Sequence, residues 1–131
     1  MEINMTTQPA GEAVAVMKPT GEINATNFME IVDKASTTYN NPARYLIIDL
    51  SEVSSITSTG MVAIHKIALI YSGVPQDVAE GENPDFTHSN EARKFVKLLN
   101  PQPEVDKALE KAGMKLYFKF YDDLASALNS I

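Results

Sequence analysis

The chain has 131 residues, no cysteine, and 11 basic against 17 acidic residues, giving a net charge of −6. This length suits a single domain, 1–131, with its own core, and the absence of cysteine excludes disulfides and thiolate metal sites. The acidic balance argues against nucleic acid, whose phosphates would be repelled. The opening Met1-Glu2-Ile3-Asn4 lacks the basic and apolar stretches of a signal peptide. The longest apolar run, near 61–71, is interrupted by His65 and Lys66 and is too short for a bilayer. A cytoplasmic protein with no membrane partner is expected.

Weak alternation over 2–7 (Ile3, Met5) and again over 13–18 (Val14, Val16) brackets the turn Pro9-Ala10-Gly11-Glu12, so 2–18 reads as a hairpin. Asn24 or Thr26 is a plausible N-cap for a helix whose apolar positions are Phe28, Ile31, Val32, Ala35 and Tyr39. Asn40-Asn41-Pro42 ends it. The run Leu46, Ile47, Ile48, Leu50 predicts a strand over 45–50 buried on both faces. A hydroxyl-rich turn follows, then a helix over 60–72.

Residues 74–90 read as a loop insertion. They hold Asp77, Glu80, Glu82 and Asp85 with no Lys or Arg, and so carry −4 of the net charge. Residues 91–100 fit a helix or a strand equally by pattern. Pro103 suits the first turn of a helix carrying Val105, Ala108, Leu109 and Ala112, which Gly113 ends. Leu116, Phe118 and Phe120 alternate with polar positions as a strand, and Asp122 or Asp123 caps a last helix with Leu124, Leu128 and Ile131. Strands alternating with helices imply an α/β layer fold with a largely parallel centre.

The turn between strand and helix, Thr57-Ser58-Thr59-Gly60-Met61, carries the functional signal. Such hydroxyls commonly cap a helix. A helix start also favours an anion, through its N–H groups and dipole. Nucleophilic catalysis lacks its parts. Ser58 and His65 are seven residues apart, about 10 Å of helical rise, and there is no Gly-x-Ser-x-Gly elbow or Gly-rich phosphate loop. No enzyme activity, cofactor or metal is expected.

Four stretches, in order, resemble the STAS domain of bacterial anti-sigma factor antagonists. Gly21-Glu22-Ile23-Asn24-Ala25-Thr26-Asn27 is similar to the segment that opens the family's first helix. Residues 45–61 are similar to its central strand and phosphorylated turn. Asn100-Pro101-Gln102-Pro103-Glu104-Val105, followed by Leu109 to Met114, is similar to the stretch after its fourth strand, and the ending 118–128 also fits. The resemblance makes 94–99 a strand. It implies a STAS fold with an N-terminal β-hairpin, a mixed four- to five-stranded sheet and helices packed mainly on one face.

It also implies a function in transcription regulation and bacterial signalling. The unmodified domain would capture an anti-sigma factor of the serine-kinase type, phosphorylation would release it, and a serine phosphatase would reset the switch. Ser58 falls on the phosphorylated serine, with Thr59 as the fallback acceptor. Asn24, Thr57, Ser58, Thr59, Gly60, Met61, Val62, His65, Lys66 and Leu69 would form the partner-binding surface. Asn24 and Thr57 stand where the family usually has Asp. The alternative keeps the fold without the switch, as a scaffold or small-ligand-sensing subunit of a larger regulatory or transport complex.

Overall fold

The computed structural model describes residues 2–10, 12–40, 45–71, 95–114 and 118–129. In chain order its elements are β1 (Glu2–Ala10), β2 (Glu12–Ile23), α1 (Phe28–Asn40), β3 (Tyr45–Asp49), β4 (Val53–Ile56) and α2 (Ser58–Tyr71). Then come β5 (Val96–Leu99), α3 (Pro103–Lys111), β6 (Phe120–Tyr121) and α4 (Leu124–Asn129). Gly11 of the expected turn, the acidic segment 74–90, Leu116 and Ile131 lie outside the described residues.

One mixed sheet runs in the order β1-β2-β3-β5-β6, with β1 antiparallel to β2 and the remaining pairs parallel. β2 is longer than its alternation suggested because it has two successive partners. Val14 to Met17 pair with β3, and Gly21 to Ile23 pair with β4. The switch occurs at Gly21, where φ is 102° and the register shifts before Glu22. That backbone region is open to glycine at little cost, and the resulting bulge turns the strand end. The Gly21 N–H donates to the Glu52 carbonyl at 3.0 Å, closing the bend against the β3–β4 turn.

Alternation along the strands divides the core. Ala15 and Met17 of β2, Leu46 and Ile48 of β3, and Val96 and Leu98 of β5 face α1 and α2 in the larger cluster. Val14, Val16, Ile47 and Leu99 face the other way and are covered in part by Ala127 of α4. Leu46, Ile47 and Ile48 are at most 1 % exposed, so the apolar run does mark a strand buried on both faces. Tyr71 joins the two long helices by donating its hydroxyl to the Ala35 carbonyl at 3.3 Å. Lys97, paired in register with Ile47, is the exception to this apolar centre. Burial, and secondarily Lys119, push its ammonium pKa down.

The fold class is the expected one, but among the described residues the sheet has six strands where four or five were anticipated. The addition is β4. Only Val53 and Ile56 are buried in it, with Ser54 exposed and Ser55 half-buried between them, so its sequence reads as a turn. Pairing with the distant end of β2 makes it a strand. Phe95 to Leu99 resolve the helix-or-strand ambiguity in favour of a strand from Val96. Among the described residues no helix is long and apolar enough to cross a membrane.

Candidate functional site

β4 returns the chain to the end of β2, where the Thr57 N–H donates to the Ile23 carbonyl at 3.0 Å. The helix α2 then begins at Ser58, two residues earlier than the pattern suggested. Ser58 is therefore the first residue of the helix and does not stand ahead of it. The cap is Thr57: its Oγ1 accepts the Gly60 N–H at 3.3 Å, and its carbonyl accepts the Met61 N–H at 3.0 Å. Thr57 and Ser58 are exposed and Thr59 is partly so. The α2 first turn contains no acidic side chain, so its positive dipole end carries no carboxylate of its own.

Gly60 is required by the protein's own packing. A Cβ there would lie 2.7 Å from Ile23 Cγ2, 2.8 Å from Ile56 Cγ1 and 2.9 Å from the Ile23 carbonyl oxygen. The first turn of α2 thus sits directly on the ends of β2 and β4, and the side chains of residues 57–59 are displayed at that corner.

The end of β2 and the loop from Asn24 to Asn27 form the neighbouring wall. Asn24 Oδ1 accepts the Thr26 N–H at 2.9 Å and the Thr26 hydroxyl at 2.6 Å, while the Asn24 carbonyl accepts the Phe28 N–H at 3.0 Å. Asn27 answers by accepting the Asn24 N–H at 2.9 Å and donating Nδ2 to the Glu22 carbonyl at 2.7 Å. Of the two caps that the sequence allowed, Asn24 and Thr26, the structure uses Asn24.

Its remaining group, Nδ2, donates to Glu22 Oε1 at 3.0 Å. An aspartate could not make that bond, because an ionised carboxylate has no proton to donate. Hydrogen bonds from Asn24 and, secondarily, Ser55 hold the exposed Glu22 carboxyl below its usual range, with a slight opposing effect of desolvation. Glu22 thus places an ionised carboxylate at this corner. Sequence reasoning assigned neither Glu22 nor Ser55 a role. Alternation around the buried Ile23 marks Glu22 as outward-facing, but Ser55 becomes its partner only through the β2–β4 pairing.

Along α2, Met61, Val62, His65 and Lys66 are half-buried; the side chain of Leu69 lies outside the described residues. Lys66 Nζ lies 5.8 Å from the centroid of the half-buried Phe28 ring, which joins this surface to the start of α1. Next to Phe28, Met29 is 45 % exposed, the one large apolar side chain exposed among the described residues. His65 packs its ring on Phe118 at 5.6 Å between centroids. Burial lowers its pKa to about 4, so the imidazole is neutral at pH 7. Among the described residues no cluster of three or more metal-ligating side chains occurs.

No family model matches the sequence, and no curated protein matches it. Solved structures do match. A Thermotoga maritima protein with a proposed assignment as an anti-sigma factor antagonist is 19% identical, superposes with a TM-score of 0.74, and is matched over 98% of this chain and 93% of that one. The anti-sigma factor antagonist SpoIIAA in its unphosphorylated form is 17% identical with a TM-score of 0.68, over 98% of this chain and 94% of that one. The phosphorylated form of SpoIIAA, the Bacillus cell fate determinant, is 16% identical with a TM-score of 0.62, over 98% of this chain and 97% of that one. Over its described residues the chain has the STAS fold of these proteins.

Proposed function

We propose that this protein is an anti-sigma factor antagonist whose switch is phosphorylation of Ser58. The observation that supports it most is the placement of Ser58: exposed, first in α2, behind a neutral hydroxyl cap and beside a half-buried apolar surface. The unmodified corner binds an anti-sigma factor of the serine-kinase type. Asn24, Thr57, Ser58, Thr59 and Gly60 shape the corner, while Met61, Val62, His65, Lys66 and Leu69 extend it along α2. Binding sequesters the anti-sigma factor and so acts on transcription without chemistry by this chain. The site of action is the cytoplasm.

Phosphorylation adds roughly −1.5 to −2 charges at neutral pH. The first-turn N–H groups of α2 have no intrahelical acceptors, and the dipole there favours an anion. The domain can therefore hold the phosphate without refolding. A partner seated over the corner meets the new charge and Glu22 together, and is released. A serine phosphatase restores the binding form, and Thr59 is the second acceptor in reach of the same surface.

Peptide mapping of the protein purified from its own organism with phosphatase inhibitors tests this reading. A phosphopeptide localised to Ser58 or Thr59, and loss of partner capture by Ser58→Glu but not Ser58→Ala, are expected. An unmodified 54–60 peptide under growth and stress alike overturns the switch. That result favours a second reading, which Thr57 and Asn24 in place of carboxylates support: a STAS scaffold or small-ligand-sensing subunit of a larger regulatory or transport complex.

A further inference from the structure

β1 is the terminal strand of the sheet, paired along one side with β2 and, among the described residues, with nothing along the other. Its nine residues keep an unbroken register from Glu2 opposite Thr20 to Ala10 opposite Glu12, with no bulge. Natural sheet edges are commonly blocked by lysine, proline, an inward charge or a bulge. From Ile3 to Gln8 this strand has neither a charge nor a proline. Its one proline, Pro9, lies near the end of the strand, so over Ile3 to Gln8 the edge presents, among the described residues, a row of backbone donors and acceptors that no such device blocks.

We propose that this edge is a self-association surface, on which a second copy of the chain pairs β1 with β1 antiparallel about a two-fold axis. The strand suits itself in that orientation. Its single charge, Glu2, lies at one end, so the two-fold sets each Glu2 against the far end of the partner strand and no like charges oppose. Thr6 falls at the centre of the strand, where the axis sets it opposite its own copy, and cross-strand threonine pairs are favourable.

A second feature belongs to the same edge. The outer side of α1 overhangs β1, and Ile3, Glu30, Asp33, Lys34 and Thr37 line a cleft of about 340 Å³ between them. Ile3 supplies an apolar side chain to the cleft, and Glu30, Asp33 and Lys34 supply both signs of charge. A two-fold contact needs one patch that complements itself. Here Lys34 of one protomer meets Asp33 or Glu30 of the other, and the reciprocal pair forms by symmetry. None of these residues belongs to the Ser58 corner, so the inference stands independently of the proposed switch. A dimer would display two such corners and engage a dimeric partner with avidity.

Sedimentation equilibrium of the full chain over roughly 5–500 μM tests it, a range chosen for the modest affinity of an edge contact. The mean mass is expected to rise from 14.4 kDa toward twice that value. Lys34→Glu and Asp33→Lys, both at exposed positions, should each weaken association about fivefold to tenfold, because the axis repeats every charge contact. An equimolar mixture of the two variants should regain it as a heterodimer. A monomer at every concentration overturns the proposal. So does an association that neither reversal weakens, or one that the mixture fails to restore.

Discussion

Two of the strand-to-helix junctions at the carboxyl ends of the parallel strands treat their helix starts in opposite ways. After β5, the Asn100 backbone adopts φ 50° and its N–H donates to the Tyr121 carbonyl at 2.7 Å. Gln102 stands at the cap position of α3 without a side-chain cap bond and instead donates Nε2 to the Ser51 carbonyl at 2.8 Å. Pro103 removes one donor at the helix start, and Glu104 and Asp106 supply carboxylates to the dipole within the first turn. That junction is locked and electrostatically complete. After β4, by contrast, a hydroxyl caps α2, the first turn has no acidic residue, and residues 57 and 58 are exposed. One fold thus closes one helix start with its own chemistry and leaves the other able to accept an anion.

The comparison breaks most severely at Gly60. Gly60→Ala pushes a methyl into Ile23 and Ile56, so α2 must lift off the sheet end; a loss of about 2–3 kcal/mol in urea unfolding is expected, as for overpacked sites. Thr57→Ala, which removes only the cap bond, should cost about 1 kcal/mol in the same measurement. Thr57→Asp should keep that bond and raise stability by up to about 1 kcal/mol, since it gives α2 the carboxylate that α3 already has. At the locked junction Gln102→Ala removes an exposed hydrogen bond, and a loss of about 0.5 kcal/mol should follow.

The smallest expected effect is a pH dependence at Glu22. Its folded pKa lies below the ordinary value of 4.5, so the unfolded chain takes up the proton first. The stabilisation is present above pH 4.5 and is lost as the pH falls through the folded value. Melting temperature followed across the acid range should show a slightly steeper decline for the wild type than for Glu22→Gln. Parallel curves would mean that the Asn24 and Ser55 contacts do not favour the ionised form.

Much of this arrangement is legible in the chain. Leu46 to Leu50 announce a strand buried on both faces, because an apolar run without alternation has no solvent side. Asn24 declares a helix start through its side chain, and Pro103 with Gly113 bracket α3 by backbone preference alone. The corner itself was only half legible. The Thr-Ser-Thr-Gly turn identified the place, yet the helix start was read two residues late, because three hydroxyl residues in a row are each acceptable caps. Thr57 takes the role because its own N–H is bound to Ile23, which fixes it as the last residue outside the helix.

Amino-acid order by itself determined the alternation of elements, the apolar faces of α1 and β3, a cap at Asn24 or Thr26, and the absence of cysteine chemistry. These follow from side-chain type and spacing within a few residues. Tertiary structure decided the rest. Val53 to Ile56 became a strand, Gly60 became indispensable, and Glu22, Asn24 and Ser55 became one hydrogen-bonded group. Each depends on the end of β2 meeting residues some thirty positions later in the chain. Local preference is weak for such segments, so the contact sets the conformation, and only the folded sheet brings the two stretches together.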